Sequence, residues 1–309
     1  MMRITRQLED LKLDHGPIVM AVGSFDGVHK GHQLIIGRAV EKSRKSAGEA
    51  WVLTLDPHPL KVLKPDSAPP LITSTQHKLR LIEELGADGC VVMPFTRDLA
   101  AVEPEAFLRR LKDGVPALRE LVVGSNWTFG HGGKGNVDLL NRKASELDLE
   151  ATVVEPVQWK GSTISSTRIR QAVAKGHLHD AEEMMGRPFS ILGTVVRGRK
   201  IGTQLGFPTA NLDPHNEVRP PSGVYAVRVG IGHRVLGGAA FLAEPTEAKK
   251  SPSGFILEVH LLDFDRELYG EDIEVSFVKW VRDARRFPSR AQLREQIARD
   301  VRQVRELLR

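Results

Sequence analysis

The stretch AVGSFDGVHKGHQLI, residues 21–35, decides the fold of the first half of the chain and the place of its chemistry. It continues an apolar, β-branched run that is typical of a buried strand. Gly27 and Gly31 allow the backbone to turn sharply and to approach a ligand closely. A helix is predicted to begin near His32, three residues after His29. The stretch therefore predicts two imidazoles at the junction between a strand and a helix.

The first half of the chain alternates short apolar runs with amphipathic stretches. Amphipathic helices are predicted at 77–85 and 104–111. The apolar runs predict buried strands at 18–22, 51–55, 90–93, 121–123 and 151–154. This alternation predicts an α/β fold, a parallel sheet with helices on both faces. Such sheets bind ligands at the carboxyl ends of their strands, where the strand order reverses.

The pattern changes near Gly186, after which short strands are separated by turns rich in Gly, Pro and Asn. This spacing predicts a small antiparallel β-barrel. Its strands are predicted at 194–197, 223–231, 254–262 and 272–281. Ser289 and Gln292 form a capping box that predicts a closing C-terminal helix. We therefore predict two domains, residues 1–186 and 187–309.

The composition is that of an ordinary soluble protein with a mild excess of positive charge. The chain has 309 residues, and a formal net charge of +5 fits phosphate-bearing small molecules as well as nucleic acid. The single cysteine, Cys90, lies in an apolar run, so we expect a small buried hydrophobe and no disulfide within the chain. No signal peptide or membrane-spanning run is evident in the sequence, which predicts a cytoplasmic protein without a membrane partner.

The predicted helix start near His32 is suited to binding phosphate. Unpaired N–H groups and the partial positive charge at a helix start attract anions. The loop has neither P-loop nor G-x-G-x-x-G spacing, and instead offers His29 and His32 as donors to phosphate oxygens. One such donor contributes roughly 3 kcal/mol to a transition state in which charge develops. The alternatives are two surface residues of a helix cap, or a zinc site for which no third ligand stands at a recognisable spacing.

A second motif, ISSTRIR at 164–170, has similar chemistry. Ser165, Ser166 and Thr167 at a helix start, with Arg168 beside them, would form another anion cradle. Taken alone, the motif is more typical of an N-capped surface helix. Its combination with HKGH favours a functional interpretation.

The two motifs resemble the paired signatures of nucleotidylyltransferases, and a wider set of blocks is similar to bacterial FAD synthetase, a bifunctional riboflavin kinase and FMN adenylyltransferase. The similar blocks are GSFDGVHKGH, LDPHP, VGSNWTFGHGGKG, ISSTRIR, GTVVRG, LGFPTANL, PSGVYAV and the segment beginning LEVH. They span nearly the whole chain in the family's order. The resemblance implies riboflavin, FMN/FAD and ATP as ligands, with ATP as co-substrate, and a nucleotidylyltransferase-like sheet followed by the kinase barrel.

The resemblance also implies roles for individual residues. His29, His32 and Glu258 would be catalytic, and His58 and Asn126 would bind the flavin. Nucleotide binding would fall to Gly23, Phe25, Gly31, Ser165, Ser166, Thr167 and Arg168. Thr209 and Asn211 would assist Mg²⁺, which matches the preference of that ion for hydroxyl and carbonyl oxygens. Trp127 and Phe129 are candidate flavin neighbours, although aromatic residues at such positions are at least as often core.

The role of Glu258 as the base that receives the hydroxyl proton of riboflavin rests on the resemblance alone. By pattern it alternates with Leu257 and Val259, which is typical of an outward-facing strand residue. Several positions also depart from the family's blocks, and we expect those in the barrel to be binding loops outside the phosphoryl-transfer centre. In the barrel they include Thr203, the block at 240–246 with Ala240, Leu242 and Glu244, and Ala284; in the first module Ser24 replaces a usual Asn.

Two other functions remain open from the sequence. In one, the first domain is an FMN adenylyltransferase and the barrel is a non-catalytic flavin-binding or regulatory module. In the other, the chain binds nucleic acid through its basic C-terminal helix, but aromatic residues total only 6% and do not interleave with the basic ones, so we expect no nucleic-acid partner. The sequence leaves the oligomeric state open.

Overall fold

The protein divides into two compact units. The structure is a computed structural model that describes residues 1–11, 15–198, 200–245 and 254–309. The first unit comprises residues 1–70 and 75–165, and the second comprises residues 71–74 and 166–309. Among the described residues, no helix combines the length and the apolar content that crossing a membrane requires.

The first unit is built on a six-stranded parallel sheet in the order β1-β4-β3-β2-β5-β6. The strands are β1 Arg3–Thr5, β2 Ile18–Val22, β3 Glu49–Asp56, β4 Gly89–Pro94, β5 Leu118–Gly124 and β6 Glu150–Val154. The order runs outward from β2 in both directions, so it reverses between β2 and β5. All five predicted strands are confirmed, and the short edge strand β1 was not predicted because three residues carry too little periodicity.

Helices cover both faces of this sheet, as the alternating pattern predicts. They are α1 Lys30–Lys45, α2 Pro59–Leu63, α3 Thr75–Glu84, α4 Arg97–Ala100, α5 Pro104–Gly114 and α6 Val137–Ala144. Alternate residues of β2 enter two separate cores: Met20 packs with Trp51 and Leu121, whereas Ala21 packs with Ile36 and Val52. Cys90 is fully buried in the second of these cores, and burial raises the pKa of its thiol to about 12. A small hairpin, β7 Gln158–Trp159 and β8 Ser162–Thr163, ends the unit.

The second unit is a closed six-stranded antiparallel barrel in the order β10-β13-β12-β11-β14-β9. Two helices precede the barrel in the chain, α7 Ser166–Ala174 and α8 Leu178–Met185. A short helix, α9 Ile201–Gln204, connects the strands β9 and β10. The strands are β9 Ser190–Val196, β10 Ala210–Pro214, β11 Gly223–Ile231, β12 Arg234–Ala243, β13 Ile256–Leu261 and β14 Asp272–Asp283. The predicted antiparallel barrel is therefore confirmed.

Two barrel strands, β10 and β12, were absent from the sequence prediction. Strand β12 contains Gly-Gly-Ala-Ala at 237–240, which lacks the β-branched and aromatic residues typical of strands. The interpretation of Ala240 and Leu242 as parts of a binding loop is wrong. Both side chains are completely buried within β12, because their small or apolar side chains fill the interior of the barrel.

The C-terminal helix α10, Arg290–Leu307, forms as predicted. The Ser289 side chain accepts a hydrogen bond from the N–H of Gln292 at its start. Val301 and Val304 are buried against β11 and β14 residues, and Ile297 packs at their edge. The sequence boundary at residue 186 stays a prediction about which segment folds by itself, since α7 and α8 belong to the compact unit of the barrel.

Candidate functional site

The predicted residues of the first unit gather at one edge of the parallel sheet. The loop Gly23–His32 follows β2, His58 follows β3, and Asn126 follows β5. Strand β2 lies between β3 and β5, so three neighbouring carboxyl ends supply these groups at the point where the strand order reverses. Gly124, the last residue of β5, has both Asn126 and α1 as neighbours, because a Cβ atom there would lie 3.3 Å from Asn126 Oδ1 and 3.3 Å from Ile35 Cδ1.

His29 is the N-cap residue of α1, which begins at Lys30 and so starts two residues earlier than predicted. Its Nδ1 accepts a hydrogen bond of 3.3 Å from the backbone N–H of His32. In the neutral ring the proton is then on Nε2, so His29 can donate to a ligand only through that atom. The cap interpretation of the sequence is therefore correct for His29, but its side chain is buried at 6% exposure rather than on the surface.

The two imidazoles form one stacked pair. Their ring centroids are 3.6 Å apart with planes inclined by 19°. Phe25 contacts the pair from the side, its ring edge-on to His32 at 5.3 Å. The position of His32 is thus fixed between an aromatic edge and a second imidazole.

The loop before α1 has an unusual backbone. Phe25 has φ of 49°, Gly27 of 82° and Val28 of 37°, all in the left-handed region. Glycine adopts this region freely, but a bulky or β-branched residue does so at a cost of order 1–3 kcal/mol. Packing maintains the conformation, since Phe25 and Val28 are both 1% exposed. A Cβ at Gly23 would lie 3.0 Å from the Phe25 ring, which explains the glycine there.

His58 and Asn126, which follow two strands at this edge, differ in the exposure of their side chains. His58 caps the short helix α2 by accepting a hydrogen bond from the N–H of Leu60 at 3.2 Å, and it is half-buried. Asn126 is exposed. Phe129, a candidate flavin neighbour, belongs to the hydrophobic core at 7% exposure, and Trp127 stacks on it with centroids 4.3 Å apart. The interpretation of these two rings as core is therefore the better one.

Sequence reasoning missed a buried lysine beneath the histidine loop. Lys78 on α3 is 6% exposed, and its ammonium donates to the carbonyl of Ser24 at 3.1 Å and to Thr54 Oγ1 at 3.0 Å. Burial lowers the pKa of the Lys78 ammonium, and the negative charge of Asp26 opposes that change. The signal in the sequence was a cation at a position of the amphipathic helix that points inward.

The second signature, ISSTRIR, begins a helix as predicted. Ser165 is the last residue of the first unit, and α7 of the second unit begins at Ser166. Ser166 and Arg168 are half-buried, and Thr167 is exposed in the first turn. Hydroxyl and guanidinium groups in a first helical turn are the groups that bind phosphate at helix starts.

The predicted kinase residues come together on one face of the barrel. Asn211 of β10 lies directly opposite Glu258 of β13, and Glu258 lies opposite Phe241 of β12. Directly paired residues of antiparallel strands share a face. The neighbours of Glu258, Leu257 and Val259, are buried inside the barrel, so this face is the outer one.

Glycines shape the space beside these groups. A Cβ at Gly198 would lie 2.2 Å from Asn211 Nδ2, and a Cβ at Gly202 would lie 3.2 Å from Thr209 Oγ1 and 2.4 Å from the carbonyl of Phe207. The chain therefore passes Asn211 and Thr209 at a separation that a side chain would prevent. A hydroxyl and an amide oxygen in such a glycine-bordered space, with a carboxylate on the same face, suit a Mg²⁺ ion that keeps part of its water shell.

The remaining departures from the family blocks of the barrel lie in different kinds of structure. Thr203 is in the short helix α9, and Ala284 follows β14. Glu244 follows β12 and accepts a hydrogen bond from Arg219. The end of the block, Thr246, lies outside the described residues. In the described part of the chain, no three His, Cys, Asp or Glu side chains are close enough to hold a metal ion together.

The fold and sites define a nucleotidyl-transferring sheet module followed by a kinase barrel, and known families share both modules. The FAD synthetase family matches residues 11–168, and the riboflavin kinase family matches residues 185–308.

Curated relatives combine the two modules in one chain. The bifunctional riboflavin kinase/FMN adenylyltransferase of Escherichia coli is 38% identical over 93% of this chain and 92% of its own. The protein of the same name from Bacillus subtilis is 36% identical over 96% and 94%. The chain belongs to the family of bifunctional riboflavin kinase/FMN adenylyltransferases.

A solved structure has the same fold over the full length. It is a Streptococcus pneumoniae crystal structure described as a macrolide-efflux protein, with a TM-score of 0.82, 28% identity and 98% coverage of both chains. The efflux description is that protein's own, and the similarity extends across the sheet module and the barrel together.

Proposed function

We propose that the chain makes FAD in two ATP-dependent steps at two separate sites. The barrel transfers the terminal phosphoryl group of ATP to the terminal hydroxyl of riboflavin, which gives FMN and ADP. The sheet module then joins FMN to the adenylyl group of a second ATP and releases pyrophosphate. The observation that carries the proposal is that each module retains its own polar site, the stacked His29–His32 pair in one and the Asn211–Glu258 pair in the other.

In the adenylylating step, a phosphate oxygen of FMN attacks the α-phosphorus of ATP and the bond to pyrophosphate breaks. Negative charge develops on the oxygens around that phosphorus. His29, through Nε2, and His32 donate hydrogen bonds to them at the start of α1, where the backbone adds partial positive charge. Gly23, Phe25 and Gly31 shape the loop so that the nucleotide approaches the backbone closely.

Other residues hold the substrates of this step. Ser165, Ser166, Thr167 and Arg168 bind the outer phosphates of ATP, which the start of α7 at Ser166 supports. His58 and Asn126 bind the flavin, and their position after strands β3 and β5, beside the histidine loop, supports this assignment.

In the kinase step, Glu258 accepts the proton of the riboflavin hydroxyl as its oxygen bonds to phosphorus. Its place opposite Asn211 supports the assignment, because the base and this proposed metal-binding residue share one face. Thr209 and Asn211 would hold Mg²⁺, which when bound would neutralise the charge of the ATP phosphates.

One assay tests both steps together. The protein is incubated with riboflavin, ATP and Mg²⁺, and FMN and FAD are resolved over time. We expect FMN to appear first and FAD to follow. If FAD forms only from supplied FMN, the barrel is a non-catalytic module. If neither product forms, the proposal is refuted. Omission of Mg²⁺ with a chelator present should stop FMN formation.

We also propose a cytoplasmic location, because both steps consume ATP and the relatives named above are bacterial proteins. Fractionation of cells that carry a tagged chain would test this. Recovery of the protein with the membrane or secreted fraction would contradict it.

A further inference from the structure

We propose that Lys78 is a positioning residue of the adenylylating site: its buried ammonium holds the carbonyl of Ser24 and thereby fixes the loop that orients His32. This inference rests on the proposed role of the histidine pair. It assigns Lys78 no contact with substrate, because its side chain is 6% exposed and lies beneath the loop.

The carbonyl of Ser24 is held by two donors. Lys78 Nζ donates to it at 3.1 Å, and Thr54 Oγ1 donates to it at 3.0 Å. Lys78 Nζ also donates to Thr54 Oγ1 at 3.0 Å, which leaves the hydroxyl proton of Thr54 directed at Ser24. The three groups form a closed triangle between α3, β3 and the loop after β2, so the peptide between Ser24 and Phe25 has a defined orientation.

This peptide precedes Phe25, one of the two non-glycine residues of the loop that have positive φ. Phe25 follows Ser24 directly and has φ of 49°, a conformation that its own sterics disfavour. The fixed carbonyl of Ser24 prevents the peptide from rotating back to an unstrained conformation. The Phe25 ring consequently stays edge-on to His32 at 5.3 Å, and His32 stays stacked on His29. The connection from Lys78 to His32 therefore passes through Ser24 and Phe25.

A purely structural role would not require a charged group at this place. Burying an ammonium is costly, and an apolar side chain of the same length would fill the same volume without that cost. Burial does lower the pKa of Lys78, and Asp26, itself 4% exposed, partly compensates the buried charge. What an apolar side chain cannot supply is the pair of hydrogen bonds to Ser24 and Thr54.

The test compares two lysine variants in the full-length chain. Lys78→Met keeps the length of the side chain and removes its donors. Lys112→Met is the matched control, because the Lys112 ammonium likewise donates two hydrogen bonds within the same module, to the backbone carbonyls of Leu118 at 2.9 Å and Asp148 at 3.3 Å, away from the histidine loop. A third variant, His32→Ala, tests whether the histidine pair contributes to FMN adenylylation.

We expect Lys78→Met to lower kcat for FMN adenylylation about 10- to 30-fold, with KM for FMN and ATP within about twofold, because misplacement of a donor by a fraction of an ångström affects the transition state most. Side-chain NMR signals of His29 and His32 should shift in Lys78→Met. Lys112→Met should leave both readouts unchanged, and riboflavin phosphorylation should be unchanged in both variants.

The outcomes separate this inference from the proposed function. If His32→Ala lowers adenylylation but folded Lys78→Met stays within twofold of the unmodified chain, the role of Lys78 is refuted and the histidine site stands. If His32→Ala does not change the rate of FMN adenylylation, the proposed role of the histidine pair is refuted, whatever the result for Lys78→Met. Should Lys78→Met not fold, Thr54→Val removes the other donor to Ser24, and it must lower kcat about threefold without a change in KM; no change would equally overturn the inference.

Discussion

The two sites of this chain are assembled in opposite ways. The histidine site comes from ten consecutive residues, Gly23–His32, and its shape depends on strained backbone between a strand and a helix. The barrel site comes from residues that are distant in sequence, and Asn211 and Glu258 meet only because the register of β10 and β13 pairs them. A local site is sensitive to loop conformation, whereas a site built by register is sensitive to strand pairing.

The largest expected effect is on the barrel site. Glu258→Gln keeps the size of the side chain and removes the base, so we expect riboflavin phosphorylation to fall by about 10²–10⁴, with riboflavin binding retained. Adenylylation of supplied FMN should be unchanged, because His29 and His32 lie in the other module. Separate assays of FMN and FAD formation measure both effects.

Glu274→Gln on β14 is the matched control for that experiment, since Glu274 is a half-buried strand carboxylate of the same barrel outside the proposed site. It should phosphorylate riboflavin at nearly the rate of the unmodified chain. If a Glu258→Gln protein that binds riboflavin still turns over at a comparable rate with saturating ATP and Mg²⁺, the general-base role is wrong.

The corresponding change in the local site is His32→Ala. We expect FMN adenylylation to fall about 10²- to 10³-fold, the effect of removing one preorganised donor. Riboflavin phosphorylation should stay nearly unchanged. His15→Ala is the control, because that side chain is 65% exposed and precedes β2, at the opposite end of the strand from the loop. A similar fall in both activities of His32→Ala would indicate misfolding rather than two sites.

The contrast also explains what the sequence predicts and what it does not. HKGH is visible because its residues are contiguous and follow a β-branched run, so the strand, the loop and the two histidines could be predicted together. Asn211 and Glu258 are 47 positions apart, and their proximity requires strand register, which a single sequence does not specify without the fold. Resemblance to known blocks supplied the assignment of both residues before the register was known.

Two errors of prediction have the same physical origin. Strand β12 was missed because its Gly and Ala residues are weak local signals, yet Ala240 is completely buried within this strand of the barrel. Lys78 lies in the predicted amphipathic helix at 77–85 and was not singled out, because a buried ammonium is recognised only when its partners, Ser24 and Thr54, are located in space. In both cases tertiary packing overrides the local preference.

A glycine substitution sharpens the comparison by disturbing the barrel site without removing a functional group. In Gly198→Ala the added Cβ would lie 2.2 Å from Asn211 Nδ2, so the Asn211 side chain or the loop must move. We expect riboflavin phosphorylation to fall about 10- to 100-fold, as displacement of a positioned group by about 1 Å produces. Initial rates at saturating ATP and Mg²⁺ measure this.

Gly230→Ala in β11 is its matched control, since the nearest atoms to a Cβ there are 3.9 Å away, in ordinary contact. It should retain kinase activity. Equal activities of the two alanine variants would mean that the glycine-bordered space beside Asn211 has no role in the reaction.

The smallest effect on activity is expected from removing the sheet module altogether. Every proposed kinase residue lies within 187–309, so this fragment should unfold cooperatively and still phosphorylate riboflavin. The longer fragment 166–309 adds α7 and α8, and α8 contributes the buried residues Leu178, Ala181, Met184 and Met185 to the barrel's compact unit.

Because each buried Leu or Met side chain contributes about 1.5–3 kcal/mol, we expect the longer fragment to melt about 5–15 °C higher at an unchanged kcat. Calorimetry on both fragments measures the melting temperatures, and the FMN assay measures the rate. A cooperative transition in the longer fragment alone would move the domain boundary from residue 186 to residue 165. Loss of kinase activity in both folded fragments would show that the barrel site depends on residues outside 166–309. Strand register within the barrel would then not be sufficient to build the kinase site.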